Sequence, residues 1–275
     1  MLFAVYLVFE FSTLWFREFP PGFHYSGYAH EGAAWLTAAL ALATLLLSMI
    51  FRTEILRDPR LPALRKLGLV WSSLNLVLAL AVFNRLFIYI RFNGMTEMRI
   101  VGLLGISCVV VGFLMVVSRF MRNRSFAWLI SRQLWTASFG CYLLAVIPWE
   151  VAIQRYNVAQ VIRGNHAPSV QISEHSISQY ALPELLPLLQ SDDQTIRLGI
   201  AAILDERAPV PAVGVEPVEE DGHRTVPSHW TRRQLGNDRA NTILTENQSR
   251  FRIFSDNVHR AGKRQAFRTY AMQWW

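Results

Sequence analysis

Three ionisable residues stand inside apolar runs of this 275-residue chain: Glu10, Arg85 and Arg132. A charge at the centre of a membrane helix costs about 2.5–3.5 kcal/mol on insertion scales, so each is a candidate for ion or proton movement. A second group gathers at the polar borders of the same runs. Tyr28, His30 and Glu31 precede one run, Tyr89 follows Arg85 by one helical turn, and Thr96, Glu97 and Arg99 are expected to project from the tight turn that Asn93-Gly94 signals just beyond. Converging there with His24, these residues would line a polar pocket beneath the polar carboxy-terminal half.

Each of these residues also has a plainer structural role open to it. Arg85 and Arg132 lie five to six residues from the nearer end of their runs. That is roughly 8–9 Å at the helical rise, within reach of snorkelling to the interface. Glu10 could instead pair with either arginine. Neighbours such as His30 and Glu31 point in different directions on a helix, which weakens them as an acid–base pair. His24, His30 and Glu31 are metal-type ligands at a spacing that matches no zinc pattern, and the HExxH motif is absent. Cys108 and Cys141 fall inside apolar runs and read as small packing residues. No phosphate-binding lysine loop, GxGxxG, GxSxG or kinase signature is present. No catalytic residue, metal or cofactor is therefore expected.

The elements that must position these residues are membrane helices. A bilayer needs about 20 consecutive apolar residues in a helix, because lipid offers the backbone no hydrogen bonds. Residues 33–51, 67–90, 99–118 and 126–149 meet that length with few charges. Residues 1–16 form a shorter fifth run that has no basic lead and no small-residue cleavage site. It reads as a span beginning mid-helix, as though an upstream portion were missing, and not as a signal peptide. The expected fold is all-α: about five spans over 1–149, an interfacial helix and small helical soluble domain over 150–207, a linker over 208–228, and a basic amphipathic segment over 229–275.

Charge gives the expected orientation. The loop 52–66 holds Arg52, Arg57, Arg60, Arg65 and Lys66, and the loop 119–124 holds Arg119, Arg122 and Arg124. Positive loops stay cytoplasmic, which places the amino terminus inside and the carboxy-terminal domain outside. Residues 1–149 carry 13 basic and 6 acidic side chains, so the whole net charge of +7 sits in the membrane half. A sequence pI near 9.8 thus reports positive-inside loops and gives no reason to expect nucleic acid.

Gly102, Gly105, Cys108 and Gly112 form a small-residue seam of the kind that lets helices approach in lipid. Its partner could be internal, another membrane protein or a second copy. Ser72, Asn75 and Ala79 share a polar-to-small face. In the polar half, residues 151–163 read as a helix stopped by Gly164, and 165–180 as irregular. Residues 183–190 and 191–207 read as a helix pair, with a capping box at Ser191-Asp192-Asp193-Gln194 and an apolar face of Ile196, Ile200, Ile203 and Leu204. Near the end, Leu244, Phe251, Phe254, Val258 and Ala261 read as one helical stripe. Arg250, Arg252, Arg260, Lys263, Arg264 and Arg268 surround it, poised for an anionic membrane surface or for the acidic stretch before the linker.

These residues resemble a family of bacterial multi-pass membrane proteins known as domain of unknown function 4173, with its relative 4153. The resemblance rests on Tyr28, Ala29, Glu31 and Gly32, with His30 where that family usually has arginine. It extends to Arg85 and Tyr89, to the turn Gly94, Thr96 and Arg99 with Met95 replacing leucine, to Arg155-Tyr156-Asn157, and to Trp230 with Arg239-Ala240. It implies a membrane protein with further amino-terminal spans in longer members, and it implies no activity. The expected role is a non-enzymatic scaffold, sensor or partner subunit of the cell envelope, in contact with the bilayer. A small-solute or ion transporter would instead route its path past Glu10, Arg85 and Arg132. A membrane enzyme would need His30, Glu31, Glu97 and Arg99 to converge.

Overall fold

The computed structural model describes residues 61–122, 124–208 and 235–274, with scattered positions before residue 50. All regular structure among the described residues is helical. The chain divides into two compact units. One comprises the described residues of Met1–Arg91 and Glu97–Ile147, the other Phe92–Thr96 and Pro148–Trp275.

The first unit holds α1 (Leu61–Asn93) as far as Arg91, α2 (Glu97–Arg122) and α3 (Phe126–Val146). Long Leu, Val, Ile and Ala runs build them, and the breaks fall where turn chemistry intervenes. Gly94, at φ 83°, ends α1 in the left-handed region that glycine tolerates. The Ser125 side chain caps α3 by accepting from the Trp128 N–H at 3.2 Å. Lys66–Asn93 and Glu97–Arg119 are long and apolar enough to cross a membrane. A third span counts if Phe126–Val146 and Trp149–Ile162 are taken together. The expected runs 1–16 and 33–51 lie largely outside the described residues.

The packing of this unit suits lipid better than water. Ala79, Phe113, Val116 and Leu129 make a small core, yet only 22% of the α2 span is buried within the protein. Phe87, Leu134, Trp135 and Phe139 are more than half exposed, large apolar side chains of the kind that a lipid-facing surface presents. Ser72, Asn75 and Ala79 are buried together, with Asn75 bonded to the Trp71 carbonyl at 2.8 Å. The small-residue seam divides. Cys108 sits against Gly140 of α3, Gly112 lies near Gln133, Gly102 lies near Leu86, and Gly105 meets open space.

The last expected span, 126–149, stops early. α3 ends at Val146, and a new helix, α4 (Trp149–Ile162), begins after Pro148. Proline lacks the N–H that would continue the ladder, and it pushes Ile147 into an extended conformation. α4 ends as expected at Gly164, φ 89°. There the N–H of Asn165 reaches the Gln160 carbonyl and that of Gly164 the Val161 carbonyl, both at 3.0 Å, which is a Schellman stop.

The second unit continues with α5 (Ser169–Glu174), a 3-10 helix (Gln179–Gln190), α6 (Gln194–Arg207), α7 (Leu235–Glu246) and α8 (Asn257–Met272). α5 lies in the stretch expected to be irregular. The 3-10 helix replaces the expected ordinary helix over 183–190, because Pro183 and Pro187 each delete an i→i−4 bond. With three residues per turn, Leu182, Leu185 and Leu188 align and are at most 1% exposed. The expected capping box was placed two residues early. Asp193 caps α6, accepting from the Thr195 and Ile196 N–H groups, while Ser191 closes the 3-10 helix. The face Ile196, Ile200, Ile203 and Leu204 is buried as expected.

The carboxy-terminal stripe does not form. α7 and α8 are separate helices, with a single 3-10 turn (Gln248–Arg250) and irregular backbone between them. Leu244 and Phe251 are fully buried while Val258 is 83% exposed. The buried side of α8 is instead Phe267 and Ala271, and Phe267 lies directly over Gly199 of α6, in the space a Cβ would take. Leu244, Phe251 and Phe267 join the same core as Leu185 and Ile200.

Candidate functional site

Of the polar residues singled out in the sequence, Tyr28, His30, Glu31, His24 and Glu10 lie outside the described residues. Of the remainder, Arg85, Tyr89, Glu97, Arg99 and Arg132 lie in the first unit and Thr96 in the second.

In the first unit, the Arg99 guanidinium lies 4.0 Å from the centroid of the Tyr89 ring. Such a cation–π contact contributes about 0.5–2 kcal/mol, most when desolvated. Arg99, Tyr89 and Arg85 are all less than 10% exposed. The expectation that Arg99 projects from the turn is therefore corrected: α2 begins at Glu97 and carries Arg99 inward onto the tyrosine. Glu97 is exposed and Thr96 half-buried. Arg132 is exposed and lines a cleft between α2 and α3 of about 500 Å³, and Arg85 is not among the residues lining that cleft. Among the described residues no three His, Cys, Asp or Glu side chains gather as metal ligands would.

In the second unit, the connection Phe92–Thr96 is held by α4. Asn157, fully buried, accepts from the Met95 N–H at 2.7 Å and donates to the Met95 carbonyl at 3.0 Å. Gly94 must be glycine here for two reasons. Its φ is positive, and a Cβ would come within 2.7 Å of the Asn157 Oδ1 and 2.9 Å of Pro168. The neighbouring Arg155 makes a two-pronged pair with Glu184 at 3.1 and 2.8 Å. Glu150, also buried, accepts from the Ser178 N–H at 3.1 Å and fixes the approach to the 3-10 helix. Sequence reasoning marked Asn157 only as part of a motif. An asparagine on the buried side of a polar helix is the signal that could have shown it as a clasp.

A row of arginines one helical turn apart fastens α8. Arg260 meets Asp205 at 3.3 Å, Arg264 meets Glu206 at 2.7 Å, and Arg268 grips Glu174 at 2.7 and 2.8 Å. Of the two dockings open to the basic end, this is the acidic stretch of its own unit. A cleft of about 590 Å³ runs along the row, lined by Arg260, Arg264 and Arg268 with Glu174 and Glu206. The Arg268 guanidinium holds the Glu174 carboxyl below its usual range. Burial raises the Tyr270 hydroxyl to about 12, helped by its hydrogen bond to Asp193 and by that carboxylate's charge. Burial alone would raise Asp193 too, but hydrogen bonds from Tyr270, Thr195 and Ile196 hold it below its ordinary value.

Residues 1–188 match the family described as Domain of unknown function (DUF4153), which is more than half of the 275 residues. The chain belongs to this family. The match is to the relative of the resemblance noted above and not to domain of unknown function 4173. As a DUF4153 member, the chain carries the matched region through α4 and α5 into the 3-10 helix. No curated protein and no solved structure matches the chain.

Proposed function

We propose that this DUF4153 protein is a multi-pass protein of the bacterial inner membrane that works as a non-enzymatic scaffold, sensor or partner subunit. In this reading the amino terminus is cytoplasmic and the helical unit containing α4–α8 is extracytoplasmic. The observation that carries it is the Asn157 clasp on Met95. The connection between two membrane-length helices is built into the second unit, so a partner that shifts this unit acts on the ends of α1 and α2. The other polar residues support the same reading. Arg99, Arg155 and the α8 arginines are engaged in holding structure together, while Glu97 stays exposed.

The test is topology. Cysteine at Glu97→Cys and, separately, at Val258→Cys is probed with a membrane-impermeant thiol reagent in intact cells. The background carries Cys108→Ser and Cys141→Ser. Labelling of both from outside is the expected result. Labelling from opposite sides, or of both only after lysis, overturns the proposed arrangement.

A further inference from the structure

The cleft between α2 and α3 holds an arginine that the described protein leaves without a counter-ion. Its walls are Leu104, Cys108 and Val111 from α2 and Trp135, Phe139 and Leu143 from α3, with Arg132 towards one end. The polar atoms along it are turned away. The Ser107 hydroxyl donates to the Leu103 carbonyl at 2.7 Å and the Thr136 hydroxyl to the Arg132 carbonyl at 3.0 Å. The surface presented is thus apolar, with one guanidinium.

No described group offers that guanidinium an anion. The sequences of α1, α2 and α3 contain one acidic residue, Glu97. It stands 18 residues from Met115, which lines the cleft beside Arg132. That separation is about 27 Å along α2. An arginine in a membrane span is costly unless paired or drawn to the headgroups. Arg132 lies six residues into α3, about 9 Å from its start, which its own length and a phosphate drawn towards it can bridge. From Arg132 to Leu143 the cleft follows about 16 Å of helix, close to the roughly 15 Å half-thickness of the hydrocarbon core.

From this we infer that the α2–α3 cleft binds an anionic phospholipid, its phosphate on Arg132 and one acyl chain along Trp135, Phe139 and Leu143. Chain-length apolar walls ending at one unpaired cation match a lipid's single charged head and long tail. α1, α2 or α3 of a second copy would bring no anion at this depth, since their one acidic residue is Glu97.

The experiment is lipid retention by the full-length protein, purified in mild detergent, exchanged into phosphatidylglycerol or phosphatidylcholine, and read by native mass spectrometry. Wild type is expected to retain one phosphatidylglycerol in preference to phosphatidylcholine. Arg132→Gln should lower that retention about tenfold, the scale of a charge-assisted hydrogen bond, while Arg132→Lys and Arg122→Gln retain it. Should Arg132→Gln fail to fold, Leu104→Trp narrows the cleft from the other wall and should lower retention similarly. Equal retention by wild type and both altered proteins overturns the inference, as an internal pair with Glu10 would require. So does a wild type that carries no lipid together with a Trp135→Cys variant that cross-links to a second copy.

Discussion

Asn157 grips both backbone polar groups of Met95, at 2.7 and 3.0 Å, across 62 residues of sequence. One amide side chain thus does what a strand would do, and does it for a connection whose N–H and C=O would otherwise need water. Hydrogen bonds at such a site are worth most when one partner is removed, because the other stays buried and unsatisfied.

Gly94→Ala should therefore be among the most damaging single changes. It forces a Cβ to within 2.7 Å of the Asn157 Oδ1 and places a side chain at φ 83°. Positive-φ strain alone costs about 1–3 kcal/mol. A fall in thermal unfolding temperature of the detergent-purified protein, larger than for Gly105→Ala, is the expected result. Gly105 meets nothing within 4 Å and serves as the control.

Gly199→Ala should release α8. The Phe267 Cβ and Cγ occupy the space a Cβ would take, and overpacking of this kind costs about 1–3 kcal/mol. Limited proteolysis between α7 and α8 should accelerate in this variant. Phe267→Leu in the same chain should recover little, because leucine keeps the Cβ and Cγ that the new methyl meets first.

Acid should loosen α8 before the rest of the unit unfolds. Glu174 and Asp193 both have depressed folded-state values. Their stabilisation is present above the ordinary carboxylate range near ~4 and is lost as pH falls through the lower folded values. Tyr270, raised to about 12, works in the opposite sense. Its contribution is complete below the ordinary value near ~10 and fades as pH climbs towards the folded value. Unfolding midpoints measured against pH should show both limbs. Glu174→Gln should flatten the acid limb and Tyr270→Phe the alkaline one.

The arginine row should behave as a set. Exposed pairs contribute about 0–1 kcal/mol each, and Arg264 with Glu206 is 40% exposed on both sides. Single glutamine substitutions at Arg260, Arg264 or Arg268 should each lower stability slightly. The triple substitution, or high salt on the wild type, should expose α8 to protease. Indifference to salt would assign the docking of α8 to Phe267 alone.

Much of this organisation was legible because hydropathy and punctuation speak locally. The long spans, the stop at Gly164 and the apolar face of Ile196, Ile200 and Leu204 each follow from a few residues. What escaped was set by distant partners. Ser191 and Asp193 both resemble helix caps, and only the bonds to Thr195 and Ile196 choose between them. The stripe through Val258 assumed one helix, while Leu244, Phe251 and Phe267 reach the core from separate segments. Arg99 looked like a projecting site residue because nothing local shows that Tyr89 lies beneath it. The candidate site was legible as a set of polar residues, and its chemistry was not, since holding a turn and binding a ligand use the same side chains.

The central claim is that Asn157 locks the connection between α1 and α2 into the second unit, and hydrogen exchange tests it most directly. In the full-length protein, Asn157→Ala should speed exchange of the Met95 amide at least about tenfold, the equivalent of one hydrogen bond, while amides around Ile200 and Leu204 keep their protection. An unchanged Met95 amide would contradict the clasp. Equal loss of protection at Met95 and throughout α6 would make Asn157 a general packing residue and contradict it as well.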